Sequence, residues 1–432
     1  MTRKPEPQSS RLTAARALIR CEQGGYSQLV LDSELRQAGL SGRDGAFACA
    51  LFYGALERKL TLDHCIDAYA HGRIDDEVRA VLRIALYQLL YMDQLPVHAA
   101  VDEAVKSTRA LRRSSAAGLV NGVLRAFLRH DRALPPIQGD SVRQLSLRYS
   151  CGREVVTRLL SWFGPDVTET ILLSSLGSPP VFIRTNTLRT DDDTLMVRLA
   201  AEEMEVTRGP LVHCLVSSGD LAHTKAHAEG LFHIQDAASQ QAALLLEPQP
   251  GQFLLDVCAA PGSKSFVLAQ DMHNSGHITA CDVNEGRLGL VSRGAARLGI
   301  SIIGTAHQDA TQPDPSLGLF DGVLCDVPCS GLGVLRRKPE LKYCGADDID
   351  ALPLLQHKIL EKSAHYCKVG GRLVYSTCTL NPAENEEIIG RFLIEHADFA
   401  PDPFDGGRHT SLNLPGQKGA DGFFTARIRR LS

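Results

Sequence analysis

From Gly251 onward the chain repeats one rhythm: a short apolar run, a turn of small residues, then a helical stretch. The successive segments are "QFLLDVCAAPGSKSFVLAQDM", "HITACDVNEGRLGLVSRGAARLG", "SIIGTAHQDA", "FDGVLCDVPCS", a long helical stretch to Cys367, and "GGRLVYSTCTL". A parallel strand pair needs a crossover, and the crossover helix must bury its apolar stripe on the sheet. The rhythm therefore predicts an α/β domain over 236–432, with a mostly parallel sheet covered on both faces. The closing "DGFFTARIRRL" reads as one more strand, antiparallel at the sheet edge.

The first 135 residues follow a different period. In "RDGAFACALFYGALERKLTLDHCIDAYA" and "DEVRAVLRIALYQLLYM" apolar residues recur at three and four, which predicts an all-α domain. "HDRALPPIQGD" supplies paired prolines and a Gly-Asp, a linker composition. From 141 to 235 helical "EVVTRLLSWF" precedes extended "PVFIRTNTL", which suggests a small α+β connector. A length of 432 residues, 44% apolar and 22% charged, fits a globular chain of two or three domains.

No run approaches the roughly 18 apolar residues of a membrane span. The N-terminal "MTRKPEPQSS" has no apolar core, so no signal peptide is expected and the expected location is the cytoplasm. Twelve cysteines are scattered with no C-x-x-C pair, so no metal site is expected and most should be small buried residues.

The net charge of −4 argues against a globally basic nucleic-acid binder, but the cations cluster. Lys106 to His130 holds six Lys or Arg and no acid, including Arg109, Arg112 and Arg113. "IRTNTLR" contributes Arg184 and Arg189, and "LRRK" contributes Arg336, Arg337 and Lys338. Each patch alone reads equally well as a solvated face; the three together favour a polyanionic partner.

Ligands of an open α/β sheet sit beyond the carboxyl ends of its strands. Asp282, Asp309 and Asp326 each follow a strand there. The turn after the first strand, Cys258, Ala259, Ala260, Pro261, Gly262, Ser263 and Lys264, is small enough for a ligand to approach the backbone. It is neither G-x-G-x-x-G nor a phosphate loop, so a cationic or zwitterionic nucleoside fits better than a dinucleotide or ATP. Asp282 is placed for ribose hydroxyls and Asp309 for an adenine amino group, parts that S-adenosylmethionine has. As helix N-caps these aspartates would be ordinary; three at successive strand ends are less so. Two cysteines, Cys329 in "DVPCSGLG" and Cys378 in "YSTCTLNPAENEE", end adjacent strands at the same edge.

"DVCAAPGSK", "CDVNEGRL", "FDGVLCDVPCSGLGVLRRKPELK" and "LVYSTCTLNPAENE", in this order and spacing, resemble the RNA cytosine-5 methyltransferases, and "FIRTNTL" and "IQDAASQ" match smaller motifs of that family. "LPVHAAVDEAVKSTR" and "GLVNGVLRAFLR" resemble the NusB-type RNA-binding fold. The fusion is similar to bacterial methyltransferases of 16S ribosomal RNA, over nearly the whole chain.

The resemblance implies a Rossmann-like methyltransferase domain, S-adenosyl-L-methionine as cofactor, small-subunit ribosomal RNA as partner, and a monomer. It also implies the roles of three residues. Carbon 5 of cytosine is a poor nucleophile, so a thiolate must add at carbon 6 first. Cys378, in the Thr-Cys motif, is the implied nucleophile; Asp326 is implied to stabilise the adduct, and Cys329 to assist its breakdown. DNA cytosine-5 methyltransferases attack with the Pro-Cys cysteine instead, but need a target-recognition insertion that this chain lacks. Action on another RNA such as tRNA, and a non-catalytic RNA-binding role, are the remaining alternatives. The family turn is usually A-P-G-G-K-T; here Ser263 replaces its second glycine, a strained choice if that position needs positive φ.

Overall fold

The computed structural model describes residues 9–92, 95–217, 219–404 and 406–432; most of the polar N-terminal stretch, where no signal peptide is expected, lies outside them. The chain forms two compact units. The first is Met1–Gly177 with Leu335–Gly345, the second Ser178–Val334 with Ala346–Ser432. Among the described residues no helix is long and apolar enough to cross a membrane.

The first unit is helical, as its period of three and four predicts. Helix Asp76–Tyr91 starts with Asp76 and Glu77, which complement the helix dipole, and buries Val78, Val81, Leu82, Ala85, Leu86 and Leu89 along one stripe. That stripe joins a core with Phe52, Ile66, Val120 and Phe127. Helix Gly42–Glu57 packs so closely that a Cβ at Gly54 would lie 1.9 Å from Tyr87 Cζ. Arg83 is buried in this core, with Nε and Nη2 each 2.8 Å from the Asp63 carboxylate and Nη1 2.8 Å from Glu22.

The stretch 141–235, expected as one connector, is shared between the units. Helices Ser141–Tyr149 and Arg153–Ser174, the latter broken at Gly164 (φ +72°), belong to the first. Side-chain bonds hold them there: Thr61 Oγ1 donates to the Leu147 carbonyl at 2.6 Å, and the Leu60 N–H donates to Ser150 Oγ at 2.9 Å.

The segment Leu335–Gly345 also belongs to this unit, although it follows the Cys329 motif in sequence. The Tyr343 hydroxyl donates to the Leu56 carbonyl at 2.6 Å, and Lys342 Nζ to the Glu57 carbonyl at 3.1 Å. These are carbonyls of the last helical turn, which have no partner within their own helix. Lys342 is fully buried, and burial pushes its ammonium pKa down to about 8.

The second unit begins with a small antiparallel sheet of β1 (Val181–Thr185), β2 (Val206–Arg208), β3 (Cys214–Ser217) and β4 (Phe232–Ile234), in the order β2-β3-β1-β4. Arg184, expected to face RNA, points inward instead. It is 1% exposed, with Nη2 2.6 Å from Asp271 and Nε 3.2 Å from Gln270, both on helix Ser263–Asp271. β1 is an interior strand with that helix behind it, so Arg184 is a structural residue.

The main sheet contains β5 (Phe253–Asp256), β6 (His277–Asp282), β7 (Ile303–His307), β8 (Phe320–Asp326), β9 (Cys367–Thr377), β10 (Phe399–Pro401), β11 (Thr410–Asn413) and β12 (Phe423–Arg430). Its order is β10-β12-β9-β8-β5-β6-β7, with β11 also on β12. β5 through β9 are parallel and β12 is antiparallel to β9. β12 is not an edge strand as expected, because β10 and β11 pair to it on the side away from β9. The chain runs outward from β5 to β7, then returns to β8 on the other side of β5. That reversal places the ligand crevice at the carboxyl ends of β5 and β8.

Candidate active site

At the end of β5 the Gly262 backbone takes φ +109°, and a Cβ there would press on Phe266 Cζ at 2.7 Å, so only glycine fits. Ser263 is the first residue of helix Ser263–Asp271 and has no positive φ. The strain considered for a serine in the family's second-glycine position is therefore absent.

The turn is tied to the next strand end through Asp282. Its Oδ2 accepts from the Ala260 N–H at 3.2 Å and its Oδ1 from the Asn284 N–H at 2.9 Å. Two main-chain donors fix this buried carboxyl group, and each oxygen keeps a lone pair. Asp309 is exposed just beyond β7. Its Oδ1 accepts from the Thr311 N–H and hydroxyl, which hold its pKa below the usual carboxylate range. Cys258, Ala259 and Ala260 line the turn, the two alanines buried.

The donor chemistry suits a nucleoside cofactor: acceptors stand at the ends of β6 and β7, and a small-residue turn leaves the backbone open to approach. Sequence reasoning did not single out Asp256, the last residue of β5. It is fully buried, accepts from Ser265 Oγ at 2.7 Å, and burial pushes its pKa up to about 7. The signal was its place at a strand end immediately before the turn.

Asp326 closes β8. Lys264 Nζ donates to its Oδ2 at 2.6 Å and Ser376 Oγ to its Oδ1 at 2.8 Å. Lys264 was expected among the cofactor residues; its ammonium is directed at Asp326 and lies 5.2 Å from the centre of the Phe423 ring. Both donors fix the orientation of a carboxylate whose side chain stays 28% exposed.

Asp326 pairs in register with Ser376, so the loops after β8 and β9 leave the sheet side by side. Cys329 and Cys378 lie on these loops with their sulfurs 3.2 Å apart, and the Cys378 N–H donates to Cys329 Sγ at 3.3 Å. The contact with Cys378, burial, and the nearby Glu384 and Asp326 all push the Cys329 pKa well above the usual thiol range. Among the described residues no cluster of three His, Cys, Asp or Glu could hold a metal ion.

The family of 16S rRNA methyltransferases designated RsmB/F matches residues 243–429, and the NusB family matches residues 8–129. A probable ribosomal RNA small subunit methyltransferase B from Bacillus subtilis (strain 168) is 35% identical, covering 98% of this chain and 99% of the relative. The chain belongs to the 16S rRNA methyltransferase RsmB/F family. Another relative, the ribosomal RNA small subunit methyltransferase B of Pasteurella multocida (strain Pm70), is 36% identical over 82% of this chain and 80% of its own. Among solved structures, the crystal structure of PH0851 aligns with a TM-score of 0.84 and 25% identity, covering 99% of this chain and 100% of that one. A methyltransferase homolog protein from Pyrococcus horikoshii aligns with a TM-score of 0.60 and 29% identity over 68% of this chain and all of its own. As in the methyltransferases of this family, the cofactor is S-adenosyl-L-methionine.

The expected RNA-contacting cations differ in exposure and partners. Arg109 and Arg112 are exposed, whereas Arg113 is paired with Glu77 at 2.8 Å. Lys338 is exposed, and Arg336 and Arg337 are half-buried. Arg189 is exposed but donates to the Glu229 carbonyl.

Proposed function

We propose that the chain methylates carbon 5 of a cytosine in 16S ribosomal RNA through a covalent adduct on Cys378. The observation that carries this reading is the pair of touching thiols at adjacent strand ends, beyond the strand that ends in Asp326, a carboxylate that Lys264 and Ser376 orient. A single nucleophile would need one cysteine; two in contact suit a reaction that must both make and break a carbon–sulfur bond.

The Cys378 thiolate adds to carbon 6, and the displaced π electrons become available at carbon 5. Asp326, fixed by its two donors, accepts a hydrogen bond from the cytosine amino group and stabilises the adduct. S-adenosyl-L-methionine supplies an electrophilic methyl group, leaving as S-adenosylhomocysteine. Loss of the carbon 5 proton re-forms the ring double bond and expels Cys378 as thiolate. Cys329, in contact with that sulfur, donates a hydrogen bond to it as it leaves.

Asp282 and Asp309 bind the cofactor in this reading, with the turn from Cys258 to Lys264 against it. Residues 1–135, the stretch 141–235 and the exposed Arg109, Arg112, Arg189 and Lys338 serve RNA docking, and the target base is exposed from its stack before reaction.

The test is to incubate the full chain with methyl-labelled S-adenosylmethionine and 16S ribosomal RNA, digest to nucleosides and analyse by mass spectrometry. Label in 5-methylcytidine is expected; label only in another nucleoside would overturn the reading.

A further inference from the structure

The loops bearing Cys329 and Cys378 are held by side chains that have no part in the chemistry above. Glu384 is wholly buried. Its Oε2 accepts from the Ser330 N–H at 2.9 Å and from Gln356 Nε2 at 2.7 Å. Its Oε1 accepts from the Ser330 hydroxyl, from Asn381 Nδ2 at 3.0 Å and, more weakly, from Thr379 Oγ1 at 3.5 Å. Ser330 follows Cys329 and Thr379 follows Cys378, and their hydroxyls are 2.7 Å apart. Gln356 also donates to the Pro328 carbonyl at 2.9 Å, so the residues on both sides of Cys329 are fixed.

We infer that Glu384 is a positioning residue for both thiols: by tying the Ser330 and Thr379 ends of the two loops together, it keeps the Cys329 sulfur on Cys378, so that resolution follows addition. A buried carboxyl group that gathers five neutral donors is expensive to assemble for stability alone, since apolar packing would serve the fold as well. Four of the five donors come from residues that follow the two cysteines, Ser330, Thr379 and Asn381, and the fifth, Gln356, also holds the Pro328 carbonyl. The negative potential of Glu384 also adds to the Cys378 contact and to burial in pushing the Cys329 thiol pKa up.

This inference rests on the covalent reading, but one readout needs no RNA. In full-length wild type, Glu384→Gln and Gln356→Met, alkylation of Cys329 by iodoacetamide is followed against pH by mass spectrometry. The fraction of RNA in a denaturation-resistant adduct is measured in parallel, with cofactor affinity and melting temperature as controls. A glutamine at 384 turns an N–H₂ toward one donor set and removes the charge. Glu384→Gln should therefore raise Cys329 alkylation at pH 8 about tenfold or more and enlarge the adduct fraction several-fold, with cofactor affinity unchanged. Gln356→Met should shift both in the same direction by less, and it carries the test if Glu384→Gln does not fold. Unchanged Cys329 alkylation in a folded variant overturns the clamp. So does altered alkylation with a wild-type adduct fraction, provided that Cys329→Ala traps RNA. If even Cys329→Ala traps none, the assignment of the adduct to Cys378 fails, and alkylation alone decides whether Glu384 positions the thiols.

Discussion

Arg83 in the helical unit and Asp256 in the sheet unit are both buried ionisable side chains, but their surroundings differ. Arg83 meets Asp63 and Glu22, which Arg79 and Lys59 also reach, and Arg79 pairs with Asp67 as well, so that three cations face three carboxylates. Where the helical unit buries a cation without a carboxylate, at Lys342, main-chain carbonyl oxygen takes its place and the ammonium pKa falls to about 8. In the sheet unit Asp256, Asp282, Asp326 and Glu384 gather at or near the strand ends, met mainly by hydroxyls, amides and main-chain N–H groups. Lys264 is the ammonium among their partners, with the half-exposed Arg287 3.9 Å from Asp282. Charge-matched burial holds a fold. An excess of acceptors held by neutral donors keeps capacity for a ligand, at a cost in stability that a purely structural site would not carry.

The largest effect should come from Asp326. Asp326→Asn keeps an oxygen for Lys264 but weakens the acceptor for the base, so the methylation rate constant should fall about 10²–10³-fold. Its melting temperature should stay near wild type. Single-turnover kinetics beside a thermal melt measure both, and an unaltered rate would place Asp326 with the structural charges.

In the helical unit the sharpest test is pH. Lys342 has a folded pKa of about 8, below its ordinary value, so between that pH and about 10.5 the unfolded chain binds the extra proton. Stability therefore rises with pH across this window, by about 3 kcal/mol, and is lost as pH falls through 8. Lys342→Met should remove the rise. Denaturant unfolding at pH 7.5 and 10.5 compares the two, and equal slopes for wild type and variant would contradict the burial argument.

Much of this contrast was legible in the sequence. Alternating strands and helices fixed the sheet, and three aspartates after successive strands marked its carboxyl edge. Cys329 and Cys378 could be placed on adjacent strand ends because the helix between them demands a parallel crossover. Pairwise side-chain geometry was not legible. Arg184 reads as one more cation beside Arg189, and only the helix behind β1, with Asp271, makes it internal. Glu384 sits in "NPAENEE", which reads as an acidic helix start; its role depends on Ser330, 54 residues earlier. Nor does hydropathy show that Leu335–Gly345 packs into the helical unit, since its most deeply buried side chain is a lysine, Lys342.

A smaller effect is expected at the cofactor end. Asp282→Ala removes the acceptor assigned to the ribose and frees the Ala260 and Asn284 N–H groups, so the dissociation constant for S-adenosylmethionine should rise about tenfold to a hundredfold. Calorimetry showing unchanged affinity would remove Asp282 from the site. Smallest is the basic stripe. Replacing Arg109, Arg112 and Arg113 by Gln should weaken RNA binding and lower the salt slope by about 2, because Arg113 is already partnered by Glu77. Equal binding at several salt concentrations would make the stripe a solvated face.

The division of labour between the two thiols is best tested by denaturing electrophoresis of Cys378→Ala, Cys329→Ala and the double variant, after incubation with labelled RNA and S-adenosylmethionine. The account predicts no methylation and no adduct for Cys378→Ala, a persistent protein–RNA adduct for Cys329→Ala, and none for the double variant. An adduct trapped by Cys378→Ala, with Cys329→Ala inert, would make Cys329 the nucleophile and contradict it.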